Sequence, residues 1–296
     1  MIVSNSLDLK KYTGSKTAAA LGSFDALHKG HMSVIAATVD FAKKNGVLSL
    51  VQIFEKPLYD EKINSTEKKL SILESVGVDI VVIERFDEDF CKIDYKSFVA
   101  DFLNERYHAV KVFAGENYRF GHLAEGDPVK LAEECKKYGI ETQILPYVKN
   151  DDGIISSTII RKLIREGNVK EAAELMSRPY EIEGTVVSGR GVGHTIGFPT
   201  ANISLPNATV VPCDGVYLTR TILSGKEFYG ITNVGAKPTL GDLSKNIETY
   251  ILGAEEDLYG KNIKVEFLKR IRDTKKFDSI DELKRQLEED KKIIPQ

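Results

Sequence analysis

The chain has 296 residues, 41 of them Lys or Arg and 44 Asp or Glu, for a net charge of −3. At roughly 100–200 residues per domain, that length points to two domains, each able to bury a core of its own. The part before residue 180 carries 25 basic and 27 acidic side chains and the rest 16 and 17, so neither has the positive surplus a nucleic-acid partner needs. Cys91, Cys135 and Cys213 are odd in number, far apart and without a CxxC pair, which argues against a disulfide framework or a zinc site. The N-terminus has no signal-peptide core, and no apolar run nears the roughly 20 residues of a membrane span. A cytoplasmic protein with no membrane partner is expected.

Apolar runs alternate with amphipathic stretches over the first part. Thr17–Gly22, Val47–Phe54, Asp79–Ile83, Ala109–Ala114 and Glu141–Leu145 read as strands. Between them His31–Lys44, Thr66–Val76, Tyr95–Glu105 and Pro128–Tyr138 read as helices, the first with Val34, Ile35, Thr38 and Phe41 on one face. This alternation predicts a parallel sheet covered on both faces, with ligand bound beyond the strands' carboxyl ends, at the loops after Leu21 and Ala114. Ser157–Glu166 and Val169–Met176 read as two further helices.

After Tyr180 the rhythm changes. Tyr180–Val187, Val216–Leu223, Glu227–Asn233, Ile247–Leu252 and Ile263–Leu268 are short β-rich runs separated by Gly- and Pro-rich turns, which predicts an antiparallel barrel. Ser279–Glu282 is a capping box opening a final helix, with Ile280, Leu283 and Leu287 expected inward. The domain boundary is placed at 180, giving domains 1–180 and 181–296.

The stretch from Gly22 through Ser23, Phe24, His28 and Gly30 to His31 follows a strand and enters a helix. A helix N-terminus offers backbone N–H groups and a positive dipole end to an anion. Two imidazoles there suit a phosphoryl centre on which charge develops. On the helix opening at Ser157, Thr158 and Arg161 are three apart and share a face, so a hydroxyl and a guanidinium are available together to phosphate oxygens. In the second part, Gly189, Gly191 and Gly193 do not form a dinucleotide fingerprint, because Ile196 stands where the last Gly belongs. No P-loop is present either. A Gly-rich loop between strands still offers backbone donors to phosphates. Taken alone, Thr200 and Asn202 read as turn residues after a Pro, and Glu248 as a solvated strand residue.

The HxGH form of His28–His31 resembles the signature of the nucleotidyltransferase superfamily. Gly115–Gly121 with Gly126-Asp127 looks like its flavin adenylyltransferase segment, and Ile155–Arg161 like its second phosphate motif. Phe198–Ile203 resembles the riboflavin kinase signature, accompanied by Gly215–Tyr217, Asn233–Thr239, Glu248, Asp257–Gly260 and Ile271–Phe277. From about Ala18 to Asp290 the chain resembles the bacterial bifunctional riboflavin kinase/FAD synthetases. The resemblance implies an α/β nucleotidyltransferase-type domain followed by a β-barrel kinase domain. It implies ATP as co-substrate, Mg²⁺ as cofactor, and riboflavin, FMN and FAD as substrates and products.

By the same resemblance His28, His31 and Glu248 would act in catalysis. Gly22, Ser23, Phe24, Gly30, Ser157, Thr158, Arg161, Gly191 and Gly193 would bind nucleotide, Asn117 and Tyr118 flavin, and Thr200 and Asn202 the metal. The chain departs from the commonest pattern at Phe54–Pro57, which lacks a histidine, and at Ala26, Asn117 and Ala124, His194 and Tyr250. A lost phosphate contact there would weaken binding by about 1–3 kcal/mol. Tyr250, two residues past Glu248, is expected beside it as a hydrogen-bond donor. The first group of departures keeps open a kinase with a degenerate first domain; a non-catalytic flavin binder is the other alternative. Oligomeric state is not legible.

Overall fold

The computed structural model describes residues 1–5, 14–55, 61–151, 153–188, 197–205, 208–236, 245–254 and 258–295. Gly191, Gly193, His194, Lys56, Pro57 and Asp257 lie outside these. The chain divides into two compact units, Met1–Ser157 and Thr158–Gln296.

The first unit is built on six strands, β1 (Ile2–Ser4), β2 (Thr17–Leu21), β3 (Leu48–Phe54), β4 (Ile80–Glu84), β5 (Ala109–Gly115) and β6 (Glu141–Leu145). They form one sheet of order β1-β4-β3-β2-β5-β6, and every pairing is parallel. Strand β2 is buried along its whole length. Ala18 and Ala20 pack on one face with Val34, Ile35 and Val39 of α1 (Lys29–Asn45). Ala19 and Leu21 pack on the other with Phe98, Phe102 and Tyr107. Small side chains on the central strand let both layers approach closely. The order reverses between β2 and β5, whose ends meet where Leu21 is in register with Ala114. The crevice expected at such a switch point therefore falls where the sequence placed it.

The helices follow the sequence reading with small shifts at their ends: α2 is Thr66–Ser75 and α5 Pro128–Lys137. The short strand β1 and helix α3 (Glu88–Cys91) were not anticipated, each being too short to show a period. The expected helix Tyr95–Glu105 is α4 (Tyr95–Ser97) running into a wider π-helical coil over Phe98–Arg106. That coil closes with the Tyr107 N–H donating to the Phe102 carbonyl, five residues back. A small hairpin, β7 (Lys149–Asn150) with β8 (Gly153–Ile154), precedes α6 (Ser157–Arg165), which starts on the last residue of this unit.

The second unit is a closed barrel of β9 (Tyr180–Val187), β10 (Thr200–Ser204), β11 (Gly215–Leu223), β12 (Lys226–Ala236), β13 (Lys245–Ile251) and β14 (Asn262–Arg272), in the order β10-β13-β12-β11-β14-β9. All its pairings are antiparallel. Closure removes the free edges an open sheet would expose. The interior is crossed by a hydroxyl chain in which Thr219 and Thr232 lie 2.8 Å apart and Thr232 donates to Thr249 at 2.8 Å, so these buried threonines are satisfied. Helix α7 (Val169–Met176) packs on β14 and β9.

Two expectations are corrected here. Thr200 and Asn202 are not turn residues but belong to β10, a strand the sequence reading omitted because it is short and follows Pro199. In the final helix, α8 (Ile280–Lys291), Ile280 is 61% exposed rather than inward, since the first helical position lies at the rim. Leu283 and Leu287 are partly buried, and the Ser279 cap accepts from the Glu282 N–H at 3.2 Å. Among the described residues no helix is long and apolar enough to cross a membrane.

Candidate active sites

A cleft of about 740 Å³ opens in the first unit beyond the ends of β2 and β5. One wall is the loop from Gly22 to His28. Phe24 and Leu27 there hold φ near +46°, a left-handed conformation uncommon for non-Gly residues. Side chains from the following segment hold it in place: Asp25 Oδ1 accepts from the Ile63 N–H at 3.1 Å, and Asn64 Nδ2 donates to the Asp25 carbonyl at 2.6 Å. Lys69 is buried as well; burial pushes its ammonium below the ordinary Lys range, with Asp25 opposing that shift. Gly22 is required, because a Cβ on it would meet the Phe24 ring at 2.9 Å. Ala26, where the resemblance suggests Gly, has no positive φ and is fully buried, so the backbone accepts its methyl.

His28 is the N-cap of α1, its Nδ1 accepting from the N–H groups of Gly30 at 3.1 Å and His31 at 3.2 Å. An accepting Nδ1 fixes the neutral tautomer with its proton on Nε2. This changes the expected picture, since two of the backbone donors foreseen for an anion are engaged by the imidazole itself. The His28 and His31 rings stack with centroids 3.7 Å apart, and Phe24 meets His31 edge-on at 5.2 Å. Gly30 allows this, because a Cβ there would lie 3.1 Å from His28 Cε1.

Ser23, Asn117, Tyr118 and Ala124 all line the same cleft. The Tyr118 N–H donates to the Gly115 carbonyl, closing a turn after β5. The Tyr118 ring stacks on Phe120, with centroids 5.3 Å apart, and burial pushes its hydroxyl above the ordinary Tyr range. The opposite wall is aromatic: Phe54 at the end of β3 meets Phe86 at 5.4 Å and Phe90 at 5.5 Å. Sequence reading had not grouped these rings, which come from separate segments. Ser157 ends the unit with its Oγ buried and without a partner among the described residues. Thr158 and Arg161 stand on α6 in the second unit, Thr158 exposed and Arg161 buried.

The second unit has a smaller cleft, about 280 Å³, on the outer wall of the barrel beside α8. Register assembles it. Asn202 on β10 lies opposite Glu248 on β13, which in turn lies opposite Asn233 on β12, while Thr200 is opposite Tyr250. Alternation turns Thr249 into the barrel and leaves Glu248 and Tyr250 on the outer face. The donor to Glu248 is not Tyr250. Asn246, two residues earlier, gives its Nδ2 proton to Glu248 Oε1 at 2.9 Å and also approaches Asn202 Oδ1 at 3.4 Å. Tyr250 instead packs its ring on Phe198, at 5.2 Å. The period-2 signal could have revealed Asn246.

Helix α8 is fastened over this cleft. Arg272 grips Asp290 through Nε at 3.0 Å and Nη2 at 2.6 Å, and Gln286 donates to the same carboxylate at 3.0 Å. Asp290 is 2% exposed and Arg272 is partly buried. Among the described residues no cluster of His, Cys, Asp and Glu is placed to hold a metal ion. The hydroxyl of Thr200 and the amide oxygen of Asn202, two apart on one strand face, are hard oxygen donors. Such a sparse set fits Mg²⁺, which keeps most of its shell for water and phosphate.

A family model described as FAD synthetase matches residues 10–159, and one described as riboflavin kinase matches residues 176–296. The bifunctional riboflavin kinase/FMN adenylyltransferase of Escherichia coli (strain K12) is 33% identical over 279 residues, 91% of this chain and 89% of that protein. The protein of the same description from Bacillus subtilis (strain 168) is 33% identical over 298 residues, 96% of this chain and 93% of its own. A crystal structure described as a macrolide-efflux protein from Streptococcus pneumoniae matches with a TM-score of 0.88 at 32% identity, over 99% of this chain and 98% of that one.

Proposed function

The chain belongs to the bifunctional riboflavin kinase/FMN adenylyltransferase family, and from that premise we propose which residues carry each of its two activities. Riboflavin is phosphorylated by ATP to FMN, and FMN is adenylylated by a second ATP to FAD. The efflux named for the Streptococcus pneumoniae protein has no counterpart in the chemistry of either cleft. We assign the kinase reaction to the barrel and the adenylyl transfer to the parallel-sheet domain, with the boundary near residue 180.

In the kinase cleft Glu248 accepts the proton of the ribityl 5′-hydroxyl as it attacks the γ-phosphate. Asn246 holds that carboxylate through one oxygen, leaving the other for the hydroxyl. Thr200 and Asn202 would hold Mg²⁺, and the Gly-rich segment with Gly191 and Gly193 would take the phosphates. Mg²⁺ supplies neutralisation of the triphosphate charge.

In the first cleft His28 and His31 face the α-phosphate that FMN attacks. With its Nδ1 committed to the cap, the His28 ring is held in the cleft wall, and His31 stands stacked beside it. Both stabilise charge arising on the phosphate oxygens. Gly22, Ser23, Phe24 and Gly30 shape the approach of the nucleotide, and Asn117 and Tyr118 border the flavin.

The observation that carries this reading is that each unit has its own cleft lined by motif residues: stacked His28 and His31 in one, Thr200 and Glu248 in the other. The test is chromatography of flavin products after incubation with ATP and Mg²⁺, starting from riboflavin or from FMN. FAD in both is the expected result; accumulation of FMN alone would leave only the kinase.

A further inference from the structure

Strand β3 reads Leu-Ser-Leu-Val-Gln-Ile-Phe, and two of its seven side chains are polar. Ser49 is satisfied, its hydroxyl donating to Asp79 Oδ2 at 2.7 Å. Gln52 is different. It is 2% exposed, it lines the cleft of the first unit, and its Nε2 has no acceptor among the described residues. A buried amide donor without a partner is costly, and such groups mark places where something else completes the hydrogen bond.

The direction of Gln52 follows from alternation along the strand. Val51 and Ile53 pack under α1, whereas Leu50 packs in the opposite core layer, so Gln52 and Phe54 share that opposite face. Phe54 meets Phe86 and Phe90 there, Phe90 meets Phe98 at 6.4 Å, and Phe98 meets Phe120 at 5.4 Å. These rings make an extended apolar wall of the cleft, which suits a large flat ring system. His28 and His31 stand at the N-terminus of α1, on the other side of the sheet. The cleft thus has a phosphate-suited end and an aromatic end, and the unpartnered Gln52 amide belongs to the aromatic end.

We infer that the Gln52 amide is a specificity-determining donor in adenylyl transfer, giving its N–H to a carbonyl oxygen on the dione edge of the flavin ring. The inference rests on the reading of the first unit as the FMN adenylyltransferase. The terminal torsion of Gln is soft, so a small turn presents the N–H to a ring lying on the aromatic wall. A neutral donor matches a neutral carbonyl, and a site that holds such a donor buried discriminates against rings lacking the acceptor.

The experiment is steady-state adenylyl transfer by the full chain, with FMN and ATP varied separately and riboflavin phosphorylation measured alongside. Gln52→Leu is expected to raise KM for FMN about tenfold while KM for ATP and the kinase rate stay within about twofold. The unsubstituted protein is expected to prefer FMN over an analogue whose ring carbonyl oxygen is replaced by sulfur, a weaker acceptor, and Gln52→Leu to level that preference. An unchanged KM for FMN, an equal rise in KM for ATP, or no preference between FMN and the thio-analogue would each overturn the inference. If Gln52→Leu fails to fold and loses the kinase rate too, the analogue comparison on the unsubstituted protein decides. If the unsubstituted protein does not adenylylate FMN at all, the functional reading of the first unit falls first, and this inference with it.

Discussion

In the parallel-sheet unit the proposed chemical groups stand beyond the strands, on the loop after β2 and the turn after β5. In the barrel they stand on the strands themselves, where Asn202, Asn233 and Glu248 are placed side by side by pairing register. The first arrangement needs local staples: left-handed Phe24 and Leu27, the Asp25 contacts to Ile63 and Asn64, the His28 cap. The second needs the barrel to stay closed and α8 to stay fastened. A loop-built site is therefore sensitive to small changes in nearby backbone, while a register-built site is sensitive to whatever holds the sheet and its covering helix.

The comparison is broken most sharply by removing the proton acceptor on the barrel wall. Glu248→Gln is expected to lower riboflavin phosphorylation by about 10²–10⁴-fold and leave FMN adenylylation nearly unchanged, as read by separate product assays. Next in size is the fastening of α8. Asp290→Ala leaves the part-buried Arg272 guanidinium without its carboxylate, and a loss of about 1–3 kcal/mol is expected. Amide hydrogen exchange should show it in β9–β14 and spare β2–β6; equal loss in both units would contradict their separation.

Sensitivity of the loop-built site is tested by Gly22→Ala, whose methyl meets the Phe24 ring. Adenylyl transfer is expected to fall about ten- to a hundredfold with kinase activity retained. A smaller effect concerns the cysteines. Burial pushes the Cys135 thiol up to about 11, whereas Cys91 is exposed, so alkylation of the native chain near neutral pH should label Cys91 and spare Cys135. The smallest is the cap of α4: hydrogen bonds from Ser97 hold the Asp94 carboxyl below the ordinary range. Its stabilisation is present above the unfolded pKa and is lost as pH falls through the folded one. Asp94→Ala should thus cost about 1 kcal/mol at neutral pH, and urea melts should show the difference shrinking below about pH 4.

Much of this architecture was legible in the residues. Runs such as those at β3 and β5 fix strands, amphipathic stretches fix helices, and their alternation placed the ligand loops after Leu21 and Ala114, where the structure reverses its strand order. What escaped was short or long-range. Strand β10 has five residues behind a proline, and β1 has three, too few for a period to show. The Arg272–Asp290 pair joins residues far apart in sequence, and the aromatic wall gathers rings from four segments. Asn246 was within reach, two residues before Glu248 on the same face. So was Gln52, the one amide in a strand that is otherwise apolar but for Ser49, and polar residues in such strands are where sequence pattern and packing part company.

The central claim, two complete and independent sites on one chain, is tested most directly by mixing two variants. His31→Ala is expected to abolish adenylyl transfer and Glu248→Gln riboflavin phosphorylation, so neither alone should turn riboflavin into FAD. An equimolar mixture given riboflavin, ATP and Mg²⁺ is predicted to make FAD, because FMN from one chain is adenylylated by the other. No FAD from the mixture, with each variant retaining its own remaining reaction, would contradict independent sites.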